Sequence, residues 1–353
     1  MNRIYLNAFS LFLLCALFSC HKNDIPYTQS GNWTAESQLN GPARSEAVSF
    51  VINNFAYVGT GWDGLNTRYT DFWKYDPQNN VWSQVNSMPG AGRSSAVAFA
   101  AGGKGYVGTG YDGFNYLNDF YELDISTNTW TQKANFAGGA RYEAVAFGIG
   151  NFGYAGTGFD GSNALKDFYQ YDPSQDTWTD VGFSGNKRYG AVTWVYNNIA
   201  YLCTGVNSGS MQTDFWKFNP AAVDTTKWTE LRHITNYSSD SYDDGYINIA
   251  RWNASAFVEG NQAYLSTGEN GVFYTFTWEY DMSKTSGGQD VDLWTEKTPF
   301  EGPATTGAVG FSLNAAAGGG GFIGTGRSSP GQAGSSDFLW QFFPAQTQNP
   351  NDN

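Results

Sequence analysis

The chain has 353 residues, 41% apolar and 17% aromatic, with 43 glycines, 13 tryptophans and a formal charge of −13. A chain this acidic repels phosphate backbones, which argues against a nucleic-acid partner. Cys15 and Cys20 stand in the first twenty residues and Cys203 is alone in the body, so the body can hold neither a disulfide framework nor a cysteine metal cluster.

The first segment, residues 1–19, places Arg3 before an apolar run from Ala8 to Phe18. The run is too short to span a bilayer comfortably and reads as a signal peptide. Its end, Leu17-Phe18-Ser19-Cys20, resembles a bacterial lipobox. The resemblance implies that Cys20 becomes the lipidated first residue, with 20–31 as a polar tether.

From residue 32 to 344 the chain repeats itself with a period near fifty. Each unit opens with an apolar strand such as Ala47–Val51 and turns at a pair such as Asn53-Asn54 or Gly102-Gly103. These pairs suit the positive φ angles of tight hairpins. A second strand ends at Gly-Thr-Gly or a close variant. An Asp then precedes an aromatic third strand (Asp71, Asp119, Asp167, Asp214, Asp337), and in most units a turn leads to a fourth strand carrying one Trp. Four antiparallel strands per unit predict an all-β fold, a six-bladed β-propeller of four-stranded blades. These residues resemble the kelch repeat, with Gly-Thr-Gly in place of its usual glycine pair.

The sixth unit lacks a Trp strand, while Asn32-Trp33-Thr34 stands unused before the first unit. Trp82 precedes Arg93 by the same interval as Trp130 precedes Arg141 and Trp33 precedes Arg44. The spacing predicts that the N-terminal strand completes the last blade, which leaves no open edge. Residues 345–353 read as a disordered polar tail. Two longer connections, 231–250 and 282–293, are predicted on opposite faces.

Loops on a rigid scaffold are the usual binding surface. At the start of each first strand stand Arg44, Arg93, Arg141, Arg188 and Arg251, with Thr305 as the sixth equivalent. They are expected either to ring the channel mouth and bind an acidic ligand, or to bond loop carbonyls and nearby carboxylates. Glu46 and Glu143 follow their arginines by two residues. On an extended strand each pair shares a side, which allows an ion pair or acid–base work on a sugar. Trp62, Tyr111 and Phe159 follow the second strands, placed to stack on sugars or to pack blade against blade. Their Asp-Gly steps suit turns, with calcium loops as the alternative. The repeated Asp before the third strand reads as a structural tie to backbone amides.

Galactose oxidase is a copper enzyme with kelch-type repeats, and its site needs two His and a Tyr–Cys crosslink. Here His21 falls in the tether, His233 in a long connection and Cys203 in a second strand, which excludes that chemistry. No cofactor is expected. The combined reading is a monomeric propeller, lipid-anchored in a bacterial envelope, that binds a glycan or an envelope protein at its mouth. The architecture also resembles the bacterial kelch-type N-acetylneuraminate epimerase, which implies a mutarotase in which Arg holds the sugar carboxylate and Glu46 and Glu143 move protons.

Overall fold

The computed structural model describes residues 29–349 and 351, apart from 236–245, 247, 285–291, 315–319 and 329–333. The expected signal segment, Cys20, His21 and most of the expected tether lie outside the described residues, as does much of both long connections.

The described strands form six four-stranded antiparallel sheets arranged as blades. Blade one comprises Val48–Ile52, Phe55–Gly59, Phe72–Asp76 and Val81–Val85. Blade two comprises Val97–Ala101, Lys104–Gly108, Phe120–Asp124 and Thr129–Lys133. Blade three comprises Val145–Ile149, Phe152–Gly156, Phe168–Asp172 and Thr177–Asp180. Blade four comprises Val192–Tyr196, Ile199–Cys203, Phe215–Phe218 and Trp228–Leu231. Blade five comprises Ser255–Glu259, Gln262–Ser266, Thr277–Asp281 and Trp294–Lys297. Blade six takes Val309–Ser312, Gly321–Gly324 and Leu339–Thr347 from the C-terminus and Ser30–Ala35 from the N-terminus. The first strands pack side by side around one axis, and the ring closes between blades six and one.

The closing strand sits as its spacing predicts. Trp33 pairs with Phe342, is fully buried, and meets Phe257 and Phe300 edge-on. The strand pair is longer than expected, since Ser30 pairs with Thr347. Residues 345–347 are therefore strand and not part of a loose tail, because the tether's last residues give them a partner.

Two circuits of backbone bonds join the blades beyond their side-chain packing. In the inner one, Glu46 N–H donates to Gly307, Ser95 to Glu46, Glu143 to Ser95, Gly190 to Glu143, Asn253 to Gly190 and Gly307 to Asn253, at 2.7–3.0 Å. In the outer one, Gly61, Gly110, Gly158, Gly205, Gly268 and Gly326 donate to the carbonyls of Arg93, Arg141, Arg188, Arg251, Thr305 and Arg44. These glycines have φ near +90°. A Cβ at Gly61 would stand 2.8 Å from the Ser45 carbonyl, so the close approach requires glycine.

The fourth-strand tryptophans latch each blade to the one before it. Trp82 Nε1 donates to Ser37 O (2.9 Å), Trp130 to Asn86 O (2.7 Å), Trp178 to Ala134 O (3.2 Å) and Trp228 to Gly182 O (2.8 Å). Trp33 follows the same rule with Thr298 O at 3.3 Å. Trp294 does not, and its buried Nε1 has no acceptor among the described residues. It follows the long connection 231–250, whose described ends bury Ile234 and Ile249 in the core between blades four and five.

Candidate functional site

The five arginines do not line the channel mouth. All are at most 1% exposed. Arg44 grips Asp71 with two parallel bonds of 2.8 and 2.7 Å, and also donates to the carbonyls of Thr60 and Pro42. Arg93 holds Asp119 in the same way, and Arg141 holds Asp167. Arg188 pairs with Asp214, which is itself only 2% exposed. A guanidinium taken out of water needs a carboxylate and carbonyls around it. The repeated Asp supplies the carboxylate, so the Arg and the Asp of each unit are one clamp that pins the loop layer. The main tie thus runs to a side chain, and the backbone-amide tie that the sequence suggests is made at Asp214, which accepts from Asn186 N–H at 3.2 Å. Burial alone would raise the Asp71 carboxyl, but hydrogen bonds and charge from Arg44 overcome it and hold it below the usual range.

Blades five and six lose the clamp. Blade five keeps Arg251 but has Phe276 where the first four have Asp, and Arg251 donates instead to the carbonyls of Ile249, Thr267, Phe276 and Asn248. Blade six has neither partner: Thr325 N–H donates to Phe338 O as Thr60 N–H does to Asp71 O, so Phe338 holds the acid's position and Asp337, expected there from the sequence, falls one residue earlier. Thr305 stands in place of Arg, its hydroxyl turned onto Pro303 O at 2.6 Å.

The axis is reached by other residues. Glu46, Ser95, Glu143, Gly190, Asn253 and Gly307 occupy equivalent positions, and all have φ between 49° and 63°. This left-handed residue ends the extended run between Arg44 and Glu46 and sends the two side chains apart. The Arg44–Glu46 pairing expected of a strand therefore does not form. Glu46 accepts from Ser95 Oγ at 2.8 Å, and Glu143 Oε1 accepts from Asn253 Nδ2 at 3.2 Å. These residues, with the alanines that follow them, line a cavity at the neck of the channel. Glu143 Oε2 is buried there without a partner. Burial, with the charge of Glu46 adding to it, pushes the Glu143 carboxyl up to about 8. Burial also raises Glu269.

Above the neck, Trp62, Tyr111, Phe159, Val206, Glu269 and Arg327 stand at matching positions, each bridged to the residue before its neck residue. The three aromatics are half-buried, and Tyr111 and Phe159 belong to an arc of ring contacts. Tyr111 meets Tyr116 at 5.4 Å, Tyr116 stacks on Tyr142 at 5.3 Å, and Tyr142 meets Phe159 at 5.8 Å. The arc continues through Tyr189 to Trp252. Opposite the aromatics, Arg327 stands 3.7 Å from Glu269. The Asp-Gly steps below the rim are turns: Asp63 accepts the amides of Leu65 and Thr67, and Asp160 those of Ser162 and Asn163.

Residues 28–188 match the family model described as the KLHDC2/KLHL20/DRC7 kelch-repeats domain. Over those residues the repeats are kelch-type, and the fold of the whole is a six-bladed β-propeller. The solved structure titled "Structure of YjhT" superposes with a TM-score of 0.67 at 15% identity, covering 87% of this chain and 98% of that one. That likeness is one of fold. No curated protein matches the chain by sequence.

In this propeller Glu46 and Glu143 both line the neck cavity, whereas the arginines are buried away from it. Sequence reasoning misses Arg68, and also the rim charges Arg327 and Glu269, although for these two a signal exists. Arg327 and Glu269 fall where the other repeats carry aromatics or valine, and comparing that one column across six units picks them out. His233 lies away from these residues, between Thr213 Oγ1 at 3.3 Å and Glu230 at 3.1 Å, and Cys203 is a buried core thiol.

Proposed function

We propose that this kelch propeller is a lipid-anchored envelope protein that binds an acidic sugar at its axial mouth. The carrying observation is the half-buried aromatic arc that converges on a polar neck, with Arg327 on the facing rim. Amphipathic rings offer a sugar its apolar face, and the neck offers donors and acceptors to its hydroxyls. An anchor at Cys20 suits this use. Ser30 enters blade six on the face of the third-to-fourth strand turns, opposite the mouth, so the mouth would look away from the membrane. Calorimetric titration with N-acetylneuraminate and glucuronate should show binding that Tyr142→Ala weakens. Heat equal to the buffer control for both sugars would dismiss the reading.

Glu143 favours a second reading, mutarotation. Protonated near neutral pH, Glu143 can donate to the ring oxygen while Glu46 takes the proton of the anomeric hydroxyl. The ring C–O bond breaks, a carbonyl forms, and re-closure on the other face returns both protons. Anomer exchange of N-acetylneuraminate followed by NMR should exceed the buffer rate and fall to it in Glu143→Gln; a wild-type rate equal to buffer removes this reading.

A further inference from the structure

The rim carries a second cation that no clamp uses. Arg68 lies between two rings, 4.8 Å from the centroid of Tyr111 and 5.6 Å from that of Trp62. Among the described residues no carboxylate comes within ion-pair distance of it. Asp112 feels its charge but is spent on the amides of Phe114 and Asn115 and the Asn115 side chain. Two buried donors here, Arg68 Nε and Trp62 Nε1, find no acceptor among the described residues. The clamp arginines, Arg251 and Arg327 are bonded to carbonyls or face a carboxylate, so an unspent guanidinium held flat by aromatic faces stands out. Planar, weakly hydrated and pre-oriented, it suits a carboxylate or sulfate group.

Its position sets the length of the ligand. From Arg68 the rings run on around the mouth: Tyr111 meets Tyr142 at 6.2 Å, Tyr142 meets Phe159 at 5.8 Å and Phe159 meets Tyr189 at 5.2 Å. A row of rings this long is more than one pyranose covers. Leu65 at 50% and Phe114 at 91% exposure flank this path on the loop tips, presenting apolar surface to whatever lies across it.

We infer that Arg68, cradled by Trp62 and Tyr111, is an anion subsite for a second sugar, and that the ligand class is an acidic oligosaccharide lying along the aromatic arc with one end in the neck. This rests on the sugar-binding reading above. Unlike the arginines of the clamps, Arg68 would set specificity without supporting the fold.

The test is a titration ladder of galacturonate monomer, dimer and trimer, with neutral malto-oligosaccharides of equal length as controls. Wild type should gain affinity from monomer to trimer, and Arg68→Gln should lose that gain by ~10-fold or more, the scale of one charge-assisted contact. Arg68→Lys should recover part of it. Monomer affinity and the neutral ladder should not change, and an unaltered Tm excludes a folding defect. No gain with length, or an equal loss for the monomer, overturns the subsite. If the monomers bind but length adds nothing, only this inference falls. If the trimer gains affinity through Arg68 while N-acetylneuraminate anomer exchange stays at the buffer rate, the subsite stands and the mutarotase reading falls.

Discussion

Blades one to four and blades five and six solve the same problem differently. The first four bury an arginine and give it an aspartate. Blade five buries the arginine without the acid, and blade six has Thr305 and Phe338 in place of both. The rim changes over the same boundary: Trp62, Tyr111, Phe159 and Val206 on the first four, Glu269 and Arg327 on the last two. The scaffold charge is thus internal and repeated, whereas the charge available to a ligand is singular and lies where the repeat departs from itself. In a propeller, departure from the repeat is the better guide to chemistry than the repeat.

The sharpest break in that comparison is to remove one acid from each half. Asp214→Ala leaves Arg188 charged and buried, and should cost about 3–5 kcal/mol. Asp337→Ala, with no arginine in its blade to strand, should cost about 1 kcal/mol or less. Urea unfolding of both variants checks this. Equal costs would show that the clamps are not what holds the loop layer of the first four blades. The double change Arg188→Met with Asp214→Leu should recover most of the loss, because no charge is then left buried alone.

The next effect concerns the neck. Burial lets Glu143 hold its proton up to about pH 8, whereas a solvated glutamate releases it near 4.5. A raised carboxyl stabilises the fold where both states are protonated. That contribution is lost as pH rises from the unfolded value to the folded one, since only the unfolded chain releases the proton there. Wild type should lose a few kcal/mol relative to Glu143→Gln between about pH 4.5 and 8, and nothing further above that. Melting curves across this range decide it; parallel wild-type and variant profiles would mean that the neck carboxyl is solvated.

How far these features are legible in the sequence depends on their reach along the chain. Trp33 is legible because its interval to Arg44 repeats within one strand and connection, and latch and pairing both follow. The clamp is not, since Arg44 and Asp71 belong to different strands and burial leaves no mark in spacing. The register hides the link further, because Asp337 reads in the sequence as the sixth clamp acid although Phe338 holds that position. Glu46 and Glu143 are legible as a pair but not in direction, because a single left-handed residue reverses what an extended strand implies. Arg68 is hidden in a loop of irregular length, where register between repeats is weakest.

The smallest effect tests the latch. Trp228 and Trp294 are both nearly buried and both meet three aromatic rings, Trp228 with Phe168, Phe183 and Phe218, Trp294 with Trp194, Phe215 and Tyr280. They differ in one bond, since Trp228 Nε1 reaches Gly182 O at 2.8 Å and Trp294 Nε1 reaches no acceptor among the described residues. Trp→Phe removes similar packing at each site, but strands a carbonyl only at the first. Trp228→Phe should therefore cost about 1 kcal/mol more than Trp294→Phe in urea unfolding. At Trp294 the substitution also removes a buried donor that has no acceptor, which lowers its cost further. If the two variants unfold together, the latch adds nothing beyond packing, and the junction after the long connection is no weaker a seam than its neighbours.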